Sequence, residues 1–210
     1  MADSRNTYIS GIPFALTPSS GSTWSTDAAS AALRVTAAPH SDIFVDPTGA
    51  AQVNAETMLN AVTLLGEVPD GDFQLRARVE VEFAATFDAG VLLLWFDDRH
   101  WAKLCFEYSP DREPMVVSVV CRDVADDANS FVVEGGAVWL RIARAGGVYA
   151  FHASLDGVTW RFVRVFALEA DVVAPRLGFE AQSPTGEGCD VAFSDVSFST
   201  ASLADMRDGS

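Results

Sequence analysis

The stretch that decides the fold is residues 90–123, GVLLLWFDDRHWAKLCFEYSPDREPMVVSVVCRD. It holds three apolar segments separated by two short polar ones, residues 97–100 and 109–114. Short polar connections between apolar segments, the second with proline at both ends of its turn, are typical of antiparallel hairpins. We therefore predict three consecutive antiparallel strands at residues 90–96, 101–108 and 115–123.

Side chains of the middle predicted strand should alternate between the two faces of its sheet. One face would carry Trp101, Lys103, Cys105 and Glu107, and the other Ala102, Leu104, Phe106 and Tyr108. A ring, an ammonium and a carboxylate on one face suit a sugar, which needs stacking and hydrogen bonds. Lys103 is also the only lysine of the chain. This face is the strongest candidate site, although a solvent-facing strand with a Lys–Glu pair over a ring would have the same pattern.

Further ligand-binding residues are expected from neighbouring strands, namely Glu80, Glu82, Trp95 and Arg122. Lys103 and Glu107 are four residues apart on one strand, or about 13 Å, which is too far for an ideal direct pair. A cross-strand acid is the better partner for Lys103, and Glu80 or Glu82 is the expected one.

The rest of the chain also has the periodicity of strands. Residues 73–83 alternate apolar and polar side chains, and residues 138–144, 148–155 and 158–168 form a meander with an Asp-Gly hairpin turn at 156–157. Residues 124–130 (VADDANS) are predicted to be a polar loop, residues 50–56 a weak helical turn, and residues 201–210 a frayed tail. Ten or more short strands predict an all-β sandwich of two antiparallel sheets, as one domain over residues 1–200.

Composition excludes several function classes. The formal net charge is −15 and the pI about 4.3, which disfavours nucleic acid and anionic membranes as partners. No apolar run reaches the roughly 18 residues of a membrane span, and the N-terminus lacks the pattern of a secretory signal. Three scattered cysteines suit reduced thiols, and neither they nor the three histidines have metal-site spacing. We expect a cytoplasmic protein without a metal or cofactor.

A glycosidase would need two carboxyl groups, about 5–5.5 Å apart for retention or about 6.5–9.5 Å for inversion of configuration. Glu80 and Glu82, two residues apart on one strand, would be separated by about 7 Å. Sandwich-fold glucanases, however, carry a Glu-x-Asp-x-x-Glu or Glu-x-Asp-x-Glu run on one strand, and this chain has none. An enzyme is therefore the less favoured interpretation.

Several segments together resemble the DUF1349 family. They are GVLLLWFDDRHWAKLCFEY, VVSVVCRDVADDANS, WLRIARAGGVYAFHASLDGVTWRFVRVFAL and RLGFEAQSPTGEGCDVAFSDVSF, and their order is the specific part of the resemblance, which covers residues 14–198. The resemblance implies a concanavalin A-like jelly-roll sandwich with a concave sheet. The family includes a yeast protein described as a regulator of enolase, and the resemblance implies no particular activity.

Three hypotheses for function remain open. The first is a non-catalytic domain that binds a carbohydrate or related polyhydroxy metabolite on the concave sheet. The second is a glycoside-processing enzyme that uses Glu107 with Glu80 or Glu82. The third is a protein-interaction module that regulates a metabolic enzyme, with a protein partner or a second copy of the chain.

Overall fold

A computed structural model describes residues 6–27, 29–48, 57–169 and 174–210. Within these ranges the chain is all β, with sixteen strands and no helix. The strands are β1 (Thr17–Pro18), β2 (Ser25–Thr26), β3 (Leu33–Thr36), β4 (Ile43–Phe44), β5 (Met58–Leu59), β6 (Val62–Glu67), β7 (Phe73–Val81), β8 (Ala89–Asp97), β9 (His100–Tyr108), β10 (Pro114–Arg122), β11 (Val124–Val132), β12 (Ala137–Ala145), β13 (Val148–Ser154), β14 (Arg161–Phe166), β15 (Arg176–Gln182) and β16 (Asp190–Ser199). The described residues contain no helix long and apolar enough to cross a membrane.

Two large antiparallel sheets make a sandwich, as the sequence predicted. The front sheet has the strand order β1-β6-β15-β8-β9-β10-β11, and the back sheet has the order β14-β13-β12-β7-β16-β3-β2. Strands β4 and β5 pair separately with each other. The strand with the most regular alternation, β7, lies in the middle of the back sheet, while the hairpin β8–β9 lies in the front sheet.

The main core fills the space between the sheets. Leu92, Leu104 and Phe106 of the front sheet meet side chains such as Leu75 and Phe193 of the back sheet there. These front-sheet residues all have even numbers on β8 and β9, so the predicted apolar face of β9 is confirmed as the core face. A β-carbon at Gly90 would lie 2.6 Å from Val79 Cγ1, because the two sheets approach closely at this point.

The opposite face of the front sheet is also apolar. A second buried cluster contains Val91, Leu93, Trp101, Cys105 and Val119, among others. Strands that are buried on both faces have continuous rather than alternating apolar sequences. The unbroken run GVLLLWF of β8 reflects this double burial.

The structure corrects three local predictions. Residues 124–130, predicted to be a loop, belong to edge strand β11, which pairs with β10 from Met115↔Val132 to Arg122↔Val124. An edge strand with exposed side chains needs no apolar alternation, so its sequence is like that of a loop. The predicted strand at 158–168 begins only at Arg161, because Asp156 Oδ1 accepts the N–H groups of Val158 and Thr159 and extends the turn.

The third correction concerns the end of the chain. Residues 201–210 were predicted to be frayed, but they fold against the back sheet, where Leu203 is buried and Gly209 O accepts a bond from Arg141. The helical turn predicted at 50–56 lies outside the described residues.

Candidate functional site

The outer face of the front sheet, on the side away from the back sheet, is covered by another part of the chain. We call residues 41–48 and 57–61 the covering segment. Its apolar side chains Ile43, Val45 and Ala61 are buried and belong to the same cluster as Leu93 and Trp101. The face that the sequence pattern suggested as a concave surface is therefore an interior.

Backbone hydrogen bonds hold the covering segment on both sides of this face. Val45 O accepts a 2.9 Å bond from the N–H of Ala125 on β11. Ser41 forms an isolated β-bridge with Ser183, directly after β15. The segment thus reaches across β8, β9 and β10, which lie between β15 and β11 in the front sheet.

Lys103 lies in the middle of β9, under this cover. Its side chain is 2% exposed, and its Nζ donates to Asp42 Oδ1 at 2.7 Å and to Gln182 Oε1 at 2.8 Å. Asp42 belongs to the covering segment, and Gln182 ends β15. The ammonium therefore joins the cover to the sheet.

The protonation state of Lys103 follows from two opposing effects. Burial lowers its pKa, but the attraction of Asp42, followed by that of Glu180, outweighs burial and raises the pKa above its usual range. Lys103 is therefore a permanent cation under the covering segment.

Two glutamates share the outer face with Lys103. Glu107, four residues along β9, is 9% exposed, and Glu180 of β15 is fully buried. Burial raises the pKa of each carboxyl group to about 8, and the attraction of Lys103 offsets only part of that rise. The raised pKa favours the protonated form of each group, which can donate as well as accept a hydrogen bond.

The carboxyl group of Glu180 lacks hydrogen-bond partners among the described residues. Both of its carboxyl oxygens are buried. Glu180 pairs in register with Val91, which in turn pairs with Cys105, so the carboxyl group lies two strands from β9. A buried polar group without a partner typically costs about 1–3 kcal/mol, so Glu180 destabilises the fold in this state.

Trp101 and Trp95 complete the outer face at the hairpin end. They pair across β8 and β9, and Trp101 is fully buried whereas Trp95 is partly exposed. Lys103 Nζ lies 5.9 Å from the centroid of the Trp101 ring. The indole Nε1 of Trp101 is buried and has no partner within the described ranges.

Three residues predicted to share this face lie elsewhere. Glu80 lies on β7 of the back sheet, paired with Ala137 and Ala192, and Glu82 follows β7 directly. Arg122 ends β10 on the opposite face from Lys103, and its Nη2 donates to Ala167 O. None of these three can share a ligand with Lys103. The sandwich core separates Glu80 and Glu82 from it, and Arg122 points to the other face of the front sheet.

Trp101, Lys103, Glu107 and Trp95 do share one face, as predicted. The acid that pairs with Lys103 is Asp42, not a glutamate of β7. Asp42, Glu180 and Gln182 also belong to this face and were not among the predicted residues. The alternation of Glu180 and Gln182 along β15 was visible, but the strand order that sets β15 beside β8 was not.

The described residues hold no group of three or more His, Cys, Asp or Glu side chains with metal-binding geometry. The cysteine on this face, Cys105, is buried, and burial raises its thiol pKa well above the usual value. It is therefore a poor nucleophile. The groups available for chemistry are the Lys103–Asp42 ion pair, the carboxyl groups of Glu107 and Glu180, the Gln182 amide and the Trp101 indole.

The comparisons with known proteins agree with this architecture. The sequence profile of the family described as "Protein of unknown function (DUF1349)" matches residues 20–201, most of the chain. The chain belongs to the DUF1349 family. Among proteins with curated descriptions, none matches this DUF1349 protein in sequence.

Solved structures with the same fold come from several sources. A functionally unknown protein from Saccharomyces cerevisiae has 23% identity and a TM-score of 0.71, with 86% of this chain and 96% of that chain covered. The GH43 BlXynB protein from Bacillus licheniformis has 13% identity and a TM-score of 0.64, with coverage of 85% and 35%. The carbohydrate binding module CBM66 from Bacillus subtilis has 12% identity and a TM-score of 0.50, with coverage of 84% and 91%. These likenesses establish the jelly-roll sandwich of this DUF1349 protein.

Proposed function

We propose that this DUF1349 protein is a non-catalytic binding domain for a small, neutral polyhydroxy ligand, such as a sugar or a related metabolite. The ligand would bind between the outer face of the front sheet and the covering segment, beside Lys103, Glu107 and Glu180, when the covering segment moves away from the sheet. The observation that carries the proposal is the Glu180 carboxyl group, fully buried with both oxygens unpartnered among the described residues.

The chemistry of the face favours neutral hydroxyl groups over ions. Lys103 is already neutralised by Asp42, and Glu107 and Glu180 are protonated below about pH 8. A bound anion would have to compete with Asp42, and a bound cation would have to ionise a buried acid. Hydroxyl groups can donate to and accept from both acids without creating charge.

The fold supplies a weaker argument for a sugar. Sandwiches of this shape occur in a GH43 protein and in a protein named as a carbohydrate binding module. Because fold alone does not determine function, this only indicates which ligands to test first.

Thermal unfolding with a panel of neutral sugars and polyols tests the proposal. Xylose, arabinose, glucose, fructose and sorbitol are suitable members, because they vary ring size and hydroxyl geometry. A ligand at 100 times its Kd stabilises the fold by about 2.7 kcal/mol, which is a readily measured rise in Tm. We expect at least one member to raise Tm in the wild type.

Two variants locate the effect. Glu180→Met removes both oxygens and should abolish the Tm rise, whereas the matched change Glu80→Met on the back sheet should leave it intact. If no member of the panel stabilises the protein, or if Glu180→Met responds like the wild type, the proposal is wrong.

The alternative function, glycoside hydrolysis, is favoured by one observation: two acids of this face have raised pKa values. Hydrolysis, however, requires one protonated and one ionised carboxyl group. Burial raises the pKa of both Glu107 and Glu180, and the Asp42 carboxylate is held by Lys103 rather than free to act as base or nucleophile. We expect no release of nitrophenol from nitrophenyl xyloside or arabinofuranoside. Release that disappears in Glu180→Gln would favour the enzyme instead.

A further inference from the structure

The outer face of the back sheet carries a second group of buried polar side chains. Register places Arg76, Arg141, His152 and Phe162 in one row across β7, β12, β13 and β14. Arg141 is 5% exposed and His152 is fully buried. The protein is strongly acidic, so a buried arginine beside a second arginine is an unexpected arrangement.

Arg141 is a buried cation without an anion. Within the described ranges no carboxylate pairs with it, and its Nε has no partner. Its Nη2 donates to Gly209 O at 2.8 Å, and its Nη1 lies 3.4 Å from Gln74 Oε1. The guanidinium stacks on Trp160, 4.2 Å from the ring centroid. Burial, followed by repulsion from Arg76, lowers the pKa of Arg141 to about 10.

His152 shows the same incomplete pairing. Its Nε2 donates to Met206 O at 2.8 Å, while its Nδ1 is buried and unpartnered among the residues described. Burial, followed by repulsion from Arg141, lowers the pKa of His152 to about 4, so the ring is neutral. Arg141 and His152 thus each use one nitrogen on a backbone carbonyl and keep another nitrogen free.

Both carbonyls come from one segment, residues 203–209, which we call the strap. It lies over the row of Arg141 and His152, anchored by the buried side chain of Leu203. Gly209 has φ +79°, and a β-carbon there would clash with Arg141 Nη2 and lie 3.1 Å from both His152 Cδ2 and Trp160 Cβ. Only glycine lets the strap come this close.

We propose that Arg141 is the centre of an oxyanion-binding site, for a carboxylate or phosphate group, and that the strap occupies this site when no such ligand is bound. A guanidinium offers parallel N–H groups in a fork that matches two oxygens of a carboxylate or phosphate. Here Nη2 donates to the Gly209 carbonyl and Nη1 to Gln74 Oε1, while Nε has no partner among the described residues. The strap carbonyls thus act as weak substitutes for an anion, and a stronger acceptor displaces them. This site is separate from the proposed sugar site, which lies on the other sheet.

Gly209→Ala tests the proposal in the chain of 210 residues. An alanine there should push the strap off Arg141 and so remove the internal competitor. Gly71→Ala is the matched control, because Gly71 also has a positive φ (+97°) but open space around its β-carbon position. Inorganic phosphate and succinate are the probes. Their binding is measured by calorimetry, with sodium chloride at equal ionic strength as the control. Binding of phosphate alone would identify a phosphate site, and binding of succinate alone a carboxylate site.

We expect Gly209→Ala to bind phosphate or succinate roughly tenfold more tightly than the wild type, because the strap no longer competes with the ligand for Arg141. Gly71→Ala should bind like the wild type. Arg141→Lys, which keeps a charge but loses the fork, should abolish the gain in the Gly209→Ala background. If neither probe binds Gly209→Ala above the chloride control, or if Arg141→Lys binds equally well, the proposal is overturned.

A measurement on the wild type tests the proposal even if the variants do not fold. Saturating phosphate or succinate should increase hydrogen exchange of the amides of residues 203–209 and leave exchange in β8 and β9 unchanged. Unchanged exchange in the strap at every concentration of both probes would overturn the proposal without any variant.

Discussion

Strands β7 and β9 have similar patterns and opposite surroundings. Each carries its Lys, Arg and Glu residues on one face, in FQLRARVEV of β7 and in HWAKLCFEY of β9. In β7 the charged positions face outward, and the side chains of Arg78 and Glu80 are 28% and 45% exposed. In β9 every residue from Trp101 to Glu107 is buried. The same periodicity thus places charged side chains in solvent in the back sheet and buries them in the front sheet.

The difference comes from a segment distant in sequence. Asp42, which neutralises Lys103, precedes it by 61 positions. Alternation shows which side chains share a face, but it does not show whether another part of the chain covers that face. A charged residue beneath such a cover must be paired or neutralised, and β9 shows both outcomes: Lys103 is paired and Glu107 is protonated.

The largest effect is expected at the buried pair. Lys103→Met keeps most of the side-chain volume but leaves Asp42 without its cation, and breaking a buried pair in this way typically costs about 3–5 kcal/mol. Urea unfolding should show a loss of this size. Asp42→Asn in the same background should recover about 1–3 kcal/mol, because it removes the orphaned charge.

A small loss for Lys103→Met, under about 1 kcal/mol, would contradict the comparison. It would mean that the covering segment opens readily and that water reaches Asp42, so β9 would resemble β7 after all. Equal losses in the single and double variants would show that Asp42 is not the partner that matters.

An effect of comparable total size is spread over several pH units. The pKa of Glu180 is about 8 in the folded protein and near 4.5 when unfolded, so the folded state holds its proton more tightly. The unfolded state ionises first as pH rises, and the free energy of unfolding should fall between about pH 4.5 and 8, by up to about 1.4 kcal/mol per pH unit for one group. Glu107 should add to the slope in the same pH range.

Glu180→Gln should reduce this slope, and its stability relative to the wild type should increase steadily from pH 5 to pH 8. Urea titrations at four pH values in this range measure the effect. Glu80→Gln, on the exposed face of β7, serves as the control and should keep the wild-type slope. A slope that Glu180→Gln does not change would mean that Glu180 is solvated and ordinary.

The sequence was sufficient for the sandwich because turns and period-2 alternation are local. The hairpin at residues 97–100 is an example: Asp97 Oδ1 accepts the N–H groups of Arg99 and His100, a contact within four residues. Strand β11 was missed because an edge strand is held by backbone pairing, which leaves no apolar pattern.

The candidate site was only half predictable. Residues on one strand, such as Trp101 and Lys103, share a face by geometry alone. Residues on different strands depend on strand order, and the front sheet sets β15 between β6 and β8 although it comes late in the chain. Glu180 was therefore missed, and Glu80, which is closer in sequence, was wrongly chosen.

The smallest effect is expected at the exposed pair of β7. Arg78 Nη1 lies 2.8 Å from Glu80 Oε1, and the guanidinium also lies 5.3 Å from the Trp139 ring centroid. Arg78→Met keeps a flexible apolar side chain against Trp139 and loses an ion pair worth about 0.2–1 kcal/mol in water. A double-mutant cycle with Glu80→Gln should give a coupling energy in that range, and 1 M salt should remove most of it. The Lys103–Asp42 coupling, shielded from solvent ions by the covering segment, should persist in the same salt. Two coupling energies of equal size and equal salt dependence would show that solvent reaches the charged residues of β9 as it reaches those of β7. The contrast between the two strands would then be wrong.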